Sequence, residues 1–404
     1  MKILFIHCAY RFKGGEEKVV EEEMKLLENA GHQVHLLEFS NEGNTLLKIL
    51  QTPFNLSSYR KTKKAILRFA PDIVHVHNLH FAASPAVLYA AKHCKVPVVC
   101  TLHNYRLLCP SGALFHNEKV FLASLEEKFP WTAVRQGVYK NSKLLTFWLA
   151  LATQWHQRLG TWKLPARYIV LTSHAKTVFA KSAIGVAQEN FVVKPNFSSD
   201  TATVSAQRNE TFLYVGRLSI EKGIHFLLRT FSRLPHRLII AGDGLLKDDV
   251  IAAAEQHSNI TYAGPLKKEQ VEALMQQSSA LIFPSIWYEG MPLTIIEAFA
   301  NGLPVIASRL GAMECMVEPA QNGLLFEACN EDDLAATLAF WSGLSASQKA
   351  SYSIAARKSY EQHYTPEKNA AQLQAIYQAV LPEEAYAFGP KFVEPSEPPL
   401  LKLQ

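Results

Sequence analysis

The chain has 404 residues, a length that suits two domains of ordinary size, each with its own hydrophobic core. Its composition, 48% hydrophobic and 19% charged, is typical of a soluble globular protein, and a net charge of +5 is too small to indicate a nucleic-acid partner. The six cysteines are scattered without a CxxC pair, which excludes a small disulfide-rich module and favours a reducing compartment.

The first ten residues predict a strand and not a signal peptide. They contain one lysine and an apolar run that His7 interrupts, and a glycine-bearing loop follows them. The sequence has no run of about 18 uncharged apolar residues, the length that would span a bilayer. We therefore expect a cytoplasmic protein.

The first half of the chain alternates strands with helices. Such alternation is typical of a parallel, doubly wound α/β sheet. The predicted strands are residues 2–7, 33–39, 72–77, 97–103, 167–173 and 191–196, and the predicted helices include 16–30, 59–70 and 83–93.

Two candidate features stand at the carboxyl edge of this sheet, where open α/β sheets bind ligands. Gly14 and Gly15 precede the first helix. This loop lacks GxGxxG and does not support dinucleotide binding, but paired glycines allow a ligand to approach the backbone; a plain flexible turn is the alternative. His103 ends a strand at the same edge, so we treat it as a site candidate although an isolated histidine is more often structural.

A second group of histidines suggests a metal site. His75 and His77 share one face of a strand, and His80 lies just beyond it. The strand is predicted to be buried, and no acidic or cysteine ligand has a matching spacing, so we favour structural roles and expect no metal.

A polar segment, residues 198–209, is predicted to be a linker because it lacks apolar periodicity. After it the alternation of strands and helices resumes, which predicts a second domain built like the first. The predicted strands of this domain are residues 211–216, 237–242, 259–264, 280–285, 304–308 and 323–326.

Two cations flank the first strand-to-helix turn of the second domain. Arg217 offers a planar fork to phosphate oxygens, Lys222 offers a point charge, and the helix start adds backbone amides. Gly242 ends the next strand, and Gly264 ends the one after it, with Leu266 close by as a candidate to meet a nucleobase. Together these positions predict a phosphate and sugar site facing the other domain.

Residues 280–308 predict a strand, a loop, a helix and a further strand, and this unit carries two glutamates. Glu297 lies on a helix that is apolar nearly all round, where a carboxylate is rarely left unpaired. Glu289 lies in the loop before it. The alternative is that Glu297 makes a structural salt bridge and Glu289 is an ordinary loop residue. Pro292 is predicted to be the first helical residue, followed by Leu293, and this helix start adds to the amides of Gly290 and Met291 a candidate anion-binding surface.

Residues 128–167 contain seven Lys or Arg, no Asp or Glu, and four of the six tryptophans. Trp148, Trp155 and Trp162 are spaced by seven, so a helix through them would gather the indoles on one apolar stripe. Basic charge with tryptophan suits an anionic membrane surface, and the alternative is a helix packed on the first domain's own sheet.

The end of the chain is predicted to be helical over 351–380, with a break at Pro366. Residues 382–404 contain five prolines and little periodicity, so we expect a disordered tail.

These motifs resemble the retaining glycosyltransferases of family 4, which have the GT-B fold of two facing Rossmann-like domains. The strongest part is the Glu289-x7-Glu297 stretch. The R-x4-K-G motif that begins at Arg217, the Gly-Gly loop at Gly14 and the segment HNYRLLCP that begins at His103 add support. The resemblance runs to about residue 380 and implies an acceptor domain at 1–197, the linker 198–209, a donor domain at 210–364 and a helix at 365–381 that crosses back.

The resemblance also implies a reaction, namely transfer of a sugar from a UDP- or GDP-linked donor to an acceptor hydroxyl with retention of configuration. The acceptor would be a glycan or a lipid-linked intermediate, as in similar bacterial exopolysaccharide or O-antigen enzymes. The chain has no Asp-x-Asp motif, so we expect neither a metal nor another cofactor. By this resemblance, Arg217 and Lys222 would bind the donor diphosphate, and Glu297 would bind the ribose. The transferred sugar would contact Glu289, Gly290 and Met291, and His103 would lie beside it.

Other functions fit the same scaffold. A sugar phosphorylase would use inorganic phosphate in place of the nucleotide, and a nucleotide-sugar epimerase would need no acceptor. A non-catalytic nucleotide-sugar-binding subunit is disfavoured because both glutamates and both cations are present.

Overall fold

A computed structural model describes residues 1–9, 14–41, 43, 45–200 and 208–381. These residues form two six-stranded sheets, each entirely parallel, and one short antiparallel hairpin. Most of the expected linker and the expected disordered tail at 382–404 lie outside the described residues. The predicted α/β class with two doubly wound parallel sheets is confirmed.

The first sheet contains the six strands predicted for the first half of the chain. Its order is β2-β1-β3-β4-β7-β8, so successive connections leave β1 in opposite directions and create a switch point between β1 and β3. The strands of this half are β1 Lys2–Ala9, β2 Gln33–Ser40, β3 Ile73–Val76, β4 Val98–Leu102, the hairpin strands β5 Phe115–His116 and β6 Lys119–Val120, β7 Arg167–Val170 and β8 Phe191–Val193.

The second sheet has the order β11-β10-β9-β12-β13-β14, in which the direction of winding changes between β9 and β12. The turns that follow β9 and β12 carry the predicted cations and Glu289, so these residues lie at the switch point, where such sheets bind ligands. The strands are β9 Phe212–Val215, β10 Leu238–Ala241, β11 Ile260–Gly264, β12 Ala280–Phe283, β13 Val305–Ser308 and β14 Gly323–Phe326.

Helices cover both sheets and bury a largely aliphatic core against them. They are α1 Gly15–Asn29, α2 Thr45–Leu50, α3 Leu56–Phe69, α4 Ala86–His93, α5 Ala123–Glu126, α6 Trp131–Gln136, α7 Lys143–Arg158, α8 Ser173–Lys181, α9 Ile224–Phe231, α10 Lys247–Gln256, α11 Lys268–Gln277, α12 Leu293–Ala300, α13 Ala312–Met316, α14 Glu331–Gly343, α15 Ala346–His363 and α16 Pro366–Gln378. In the described part of the chain, no helix is both long enough and apolar enough to cross a bilayer.

Element boundaries differ from the predicted ones by a few residues, for local reasons. The strand predicted over 167–173 ends at Val170 because the Thr172 hydroxyl accepts a hydrogen bond from the Ala175 amide and so caps α8. Pro292 is the N-cap of α12 and not its first helical residue, because its backbone is still extended there.

The prediction of one helix through Trp148, Trp155 and Trp162 is wrong. Helix α7 ends at Arg158 because Gly160 adopts a left-handed conformation, and Trp162 lies in the following turn, where it is buried. The Trp148 indole donates a hydrogen bond to the Ile49 carbonyl, whereas Trp155 is 60% exposed. The tryptophans therefore do not share one exposed stripe.

Helix α16 packs on the first sheet although it follows the second domain in sequence. Leu373 and Tyr377 are buried with Phe5 and Val20 in one hydrophobic cluster. The Tyr377 hydroxyl is 2.6 Å from Nδ1 of His75 on β3. A segment distant in sequence thus completes the core of the first domain.

We expect Leu373→Ala to lower the free energy of unfolding by about 2–5 kcal/mol, because it leaves a cavity where the side chain was fully buried. Urea unfolding, followed by the fluorescence of the first-domain tryptophans, measures this change. The control is Ile354→Ala on α15, whose side chain is 69% exposed and whose loss should change stability by less than about 0.5 kcal/mol. A loss below 1 kcal/mol for Leu373→Ala would contradict the docking of α16.

Candidate active site

A cleft between the two sheets contains a cavity of about 480 Å³. A second cavity of about 320 Å³ shares Val215 with it and is lined by Leu266 and Glu297. Gly242 and Gly264 line neither cavity. The predicted site residues that line the larger cavity are Gly14, Gly15, His103, Arg217, Lys222, Glu289, Gly290, Met291 and Leu293.

Lys222 reaches the cleft from a short turn between β9 and α9. Gly223 follows it in a left-handed conformation, and a Cβ atom at Gly223 would overlap the carbonyl of Pro284. This close packing fixes the turn against the end of β12. The ammonium group lies 5.5 Å from the ring centre of Phe283 and 5.7 Å from that of Trp287, so aromatic faces add to its stabilisation.

Glu289 is buried, and one of its oxygens is fully engaged. Nζ of Lys222 lies 2.7 Å from Oε1, and the Ser285 hydroxyl donates to the same atom at 2.7 Å. The carboxylate is therefore oriented, and its second oxygen is the one left for a ligand. Lys222 and Glu289, to which the resemblance assigns the phosphate and the sugar, are therefore in direct contact.

Arg217 is held much less firmly. Its Nη2 lies 3.4 Å from Oε1 of Glu221, and its side chain is 62% exposed. An exposed ion pair of this kind contributes about 0–1 kcal/mol. The guanidinium group can therefore turn towards an anion in the cleft at little cost.

Glu297 joins the two domains. Its Oε1 lies 2.7 Å from Nζ of Lys18 on α1, and both side chains are partly exposed. The predicted ribose contact remains a prediction, and the salt bridge agrees with the alternative that Glu297 has a structural partner. Because the residue also lines the smaller cavity, both roles fit the geometry.

Three of the predicted glycines pack against a distant part of the chain, and two of them do so against a backbone carbonyl. A Cβ atom at Gly290 would lie 2.5 Å from the carbonyl oxygen of His103, and one at Gly15 would lie 3.4 Å from the Leu293 side chain. Gly242 packs against the carbonyl of Gly216, where a side chain would overlap it. The first two contacts join the domains, whereas Gly242 serves packing within the second domain.

His103 occupies the wall of the cleft, and its Nε2 lies 3.1 Å from Nδ1 of His77. Burial lowers the pKa of His103 to about 4, and it also lowers the pKa of His77. Both rings are therefore neutral at pH 7.

A buried cluster behind His103 includes the only group of described residues with a ligand set that could suit a metal. One atom from each of Glu23, His75 and His77 lies within 4.8 Å of the others. However, Glu23 forms a buried ion pair with Lys194, and the two nitrogens of His75 contact the hydroxyls of Tyr377 and Thr101 at 2.6 Å and 2.8 Å. These protein partners favour a hydrogen-bonded cluster over a metal site.

Several residues at the cleft were not found from the sequence. The Tyr288 ring stacks on His174 of the first domain at 4.9 Å. Among the described residues, Trp287 Nε1, Asn196 Oδ1 and the Tyr105 hydroxyl are buried without a hydrogen-bond partner, and all three residues line the larger cavity. Buried polar atoms are usually satisfied, so these are candidates to bind a polar ligand. Trp287 and Tyr288 had a sequence signal in their place just before Glu289, and Tyr105 had one in its place within the segment HNYRLLCP.

Residues 13–197 match the family Glycosyltransferase Family 4, and residues 198–359 match the family Glycosyl transferases group 1. The glycogen synthase of Mycobacterium tuberculosis is 34% identical over 131 residues, which are 30% of this chain and 31% of that protein. An uncharacterized 42.6 kDa protein in the cps region of Klebsiella pneumoniae is 24% identical over 303 residues, 72% of this chain and 74% of that protein. In the first three curated relatives the match spans only about a third of their length.

Among solved structures, HepE of Anabaena in complex with UDP and glucose has a similar fold. The TM-score is 0.64 at 18% identity, and the alignment covers 94% of this chain and all of that one. The two family matches adjoin each other and agree with the two sheets. The chain therefore has a GT-B fold, whose first domain matches the family Glycosyltransferase Family 4 and whose second domain matches the family Glycosyl transferases group 1.

Proposed function

We propose that the protein is a retaining glycosyltransferase that moves a sugar from a nucleoside diphosphate sugar to an acceptor hydroxyl without a metal ion. The observation that carries this proposal is the contact between Lys222 and Glu289 at the switch point of the second sheet. It places a cation and an oriented carboxylate in one cavity shared by the two domains. The family of each domain supports sugar transfer.

Negative charge builds on the diphosphate as its bond to the anomeric carbon breaks. Lys222 and Arg217, with the amides of Gly290 and Met291, would stabilise this charge in a site that is set before the reaction begins. In the resting protein Lys222 neutralises Glu289, so an arriving diphosphate would share the cation with the carboxylate. The second oxygen of Glu289 would then be directed at the transferred sugar.

Retention of configuration requires the acceptor oxygen to bond to the anomeric carbon on the same face of the sugar from which the diphosphate departs. A covalent glycosyl intermediate on Glu289 gives this result by two inversions, and attack from the departing face gives it in one step. In both routes the acceptor hydroxyl adds to the anomeric carbon, and its proton passes to a departing phosphate oxygen or to a carboxylate. The UDP and glucose in the HepE structure support UDP-glucose as the first donor to test.

For the acceptor we propose a lipid-linked or polysaccharide intermediate at a membrane surface. The cps-region relative supports cell-surface polysaccharide synthesis. A surface feature of the first domain, here called the α2–α7 patch, supports membrane contact because α2 packs on α7 and both expose large apolar side chains. The patch consists of Leu46, Leu47 and Leu50 on α2 and Leu144, Leu151 and Trp155 on α7.

We expect Arg217→Ala and Lys222→Ala each to lower kcat/KM by about 10- to 150-fold, since charge-assisted hydrogen bonds contribute about 1.5–3 kcal/mol. The double variant should have almost no activity. Transfer assays with UDP- and GDP-linked sugars measure this, and Arg237→Ala, an exposed site away from the cleft, is the control.

The same assay includes two checks. Thermal unfolding must show that Lys222→Ala is folded, because it leaves Glu289 buried without its cation. Excess EDTA should leave wild-type activity unchanged. Wild-type kcat/KM in the folded double variant would contradict the phosphate roles, and a loss with EDTA that Mg²⁺ restores would contradict metal independence.

We expect Glu289→Gln to lower kcat at least about 100-fold with little change in nucleotide affinity, because the carboxylate acts on the sugar. Glu297→Gln should instead weaken binding of the free nucleoside diphosphate about tenfold. Calorimetry with UDP and GDP compares the two.

Glu297 also binds Lys18, so Lys18→Ala serves as the matched control that breaks the salt bridge and keeps the carboxylate. It should cost no more than about 1 kcal/mol in stability. It should also leave nucleotide affinity within twofold of the wild-type value, which corresponds to a difference of about 0.4 kcal/mol in binding free energy. Equal affinity losses in the Glu289 and Glu297 variants would remove the proposed division of roles.

We expect the protein to sediment with vesicles that contain anionic lipid, less so as salt rises, because basic residues near a membrane contribute about 1 kcal/mol each. Arg158→Glu with Lys163→Glu should reduce binding strongly. The control pair Arg237→Glu and Lys358→Glu makes the same charge change on exposed sites of the second domain and should bind as wild type does. Sedimentation equal to that of a vesicle-free sample at low salt would contradict membrane contact.

A further inference from the structure

A row of buried side chains runs from the cleft into the first domain. Nε2 of His103 faces Nδ1 of His77 at 3.1 Å, and Nε2 of His77 faces Oε2 of Glu23 at 3.5 Å. The other oxygen of Glu23 is bound by the ammonium group of Lys194. His77, Glu23 and Lys194 are each at most 3% exposed, whereas His103 is partly open to the cleft.

The positions of the protons follow from what each group can donate. A carboxylate paired with an ammonium group only accepts hydrogen bonds, so the N–H of neutral His77 belongs on Nε2, facing Glu23. Nδ1 of His77 is then an acceptor, so the N–H of neutral His103 belongs on Nε2. Nδ1 of His103 is left without a proton and is the ring nitrogen available to a ligand.

We propose that Lys194, Glu23 and His77 are positioning residues that hold His103 in the tautomer with a bare Nδ1, so that His103 accepts a hydrogen bond from a hydroxyl of the transferred sugar. This inference rests on the proposed function. The sugar hydroxyl donates to His103, so His103 orients the sugar and does not protonate it.

The buried ion pair of Lys194 and Glu23, which lies behind the cleft wall that carries His103, supports a positioning role for these residues. Buried ion pairs contribute little net stability relative to apolar side chains of similar volume, so this pair is poorly explained by stability alone. Nε2 of His77 and Oε2 of Glu23 are 3.5 Å apart, which is longer than a good hydrogen bond, and this carboxylate oxygen is the acceptor that faces the ring nitrogen. Other titratable groups around the row are His75, whose ring centre is 4.1 Å from that of His77, and His7 and Glu17 near its cleft end.

The direct test is the NMR spectrum of the full-length protein labelled with ¹⁵N-histidine, which distinguishes a bare ring nitrogen from a protonated one. The His103 signals are assigned by their loss in His103→Gln. We expect a proton on Nε2 and none on Nδ1. A proton on Nδ1 of His103 in the wild-type protein overturns the inference, whether or not any variant folds.

Two double variants test the positioning. Glu23→Leu with Lys194→Met replaces the buried ion pair by apolar side chains of similar size, so the protein should stay folded. This double variant also removes the carboxylate that accepts a hydrogen bond from His77. The His103 tautomer should then change or become mixed, and kcat should fall at least about tenfold with the donor KM within threefold. The matched control, Glu23→Gln with Lys194→Gln, keeps an oxygen that accepts from His77 and should keep both the tautomer and kcat within about threefold of wild type.

An unchanged kcat in a folded Glu23→Leu, Lys194→Met protein overturns the inference. So does an equal loss of kcat in the Gln control with its tautomer intact, because a general structural effect would then explain both. The NMR result needs no substrate. If wild-type protein transfers no sugar from any nucleotide donor, the proposed function fails while the tautomer is still measured.

Discussion

The backbone of Gly290 lies so close to the carbonyl oxygen of His103 that no side chain fits between them. This approach joins the loop after β12 to the end of β4, and the geometry of the cleft depends on it. It brings the edge of one parallel sheet to the edge of the other, so that a ligand between them contacts both domains. Larger residues at position 290 would separate the carboxylate of Glu289 from the wall that carries His103.

Charge in the cleft is balanced before any ligand arrives. Lys222 pairs with Glu289, Arg217 lies beside Glu221, and Lys18 pairs with Glu297. A ligand-free site with unpaired buried charges would be costly, and paired groups avoid that cost. The pairs differ in strength, because the buried Lys222 contact is fixed by Ser285 and by aromatic rings, whereas the Arg217 contact is exposed and easily exchanged. A diphosphate would therefore bind Arg217 once that side chain has rotated towards it, and it would share Lys222 with Glu289.

The fold was largely predictable because each strand of a parallel sheet is a short apolar run bounded by turn residues, and helices alternate with those runs. All twelve predicted strands of the two sheets are present. The cleft residues were predictable for the same reason, since a residue after a strand must lie at the carboxyl edge.

Partners that depend on packing between distant elements were not predictable from the sequence. The contact of Lys18 with Glu297, for example, joins residues 279 positions apart. Nothing in the sequence of α1 distinguishes Glu23 from the other glutamates of that helix, and its buried ion pair with Lys194, which follows β8, depends on packing between distant segments. The tryptophans of residues 128–167 were misassigned because a regular spacing of seven continued past the glycine that ends α7.

The docking of α16 has a consequence for synthesis on the ribosome. Domains commonly fold as units in the order in which they are made. Here the cluster around Phe5 includes Leu373, Ile376 and Tyr377, which are translated after the whole second domain. Until they appear, the first sheet exposes apolar surface, and His75 lacks the hydroxyl that faces its Nδ1. The nascent chain must therefore carry an incomplete first domain through the folding of the second, a period in which exposed apolar surface favours aggregation.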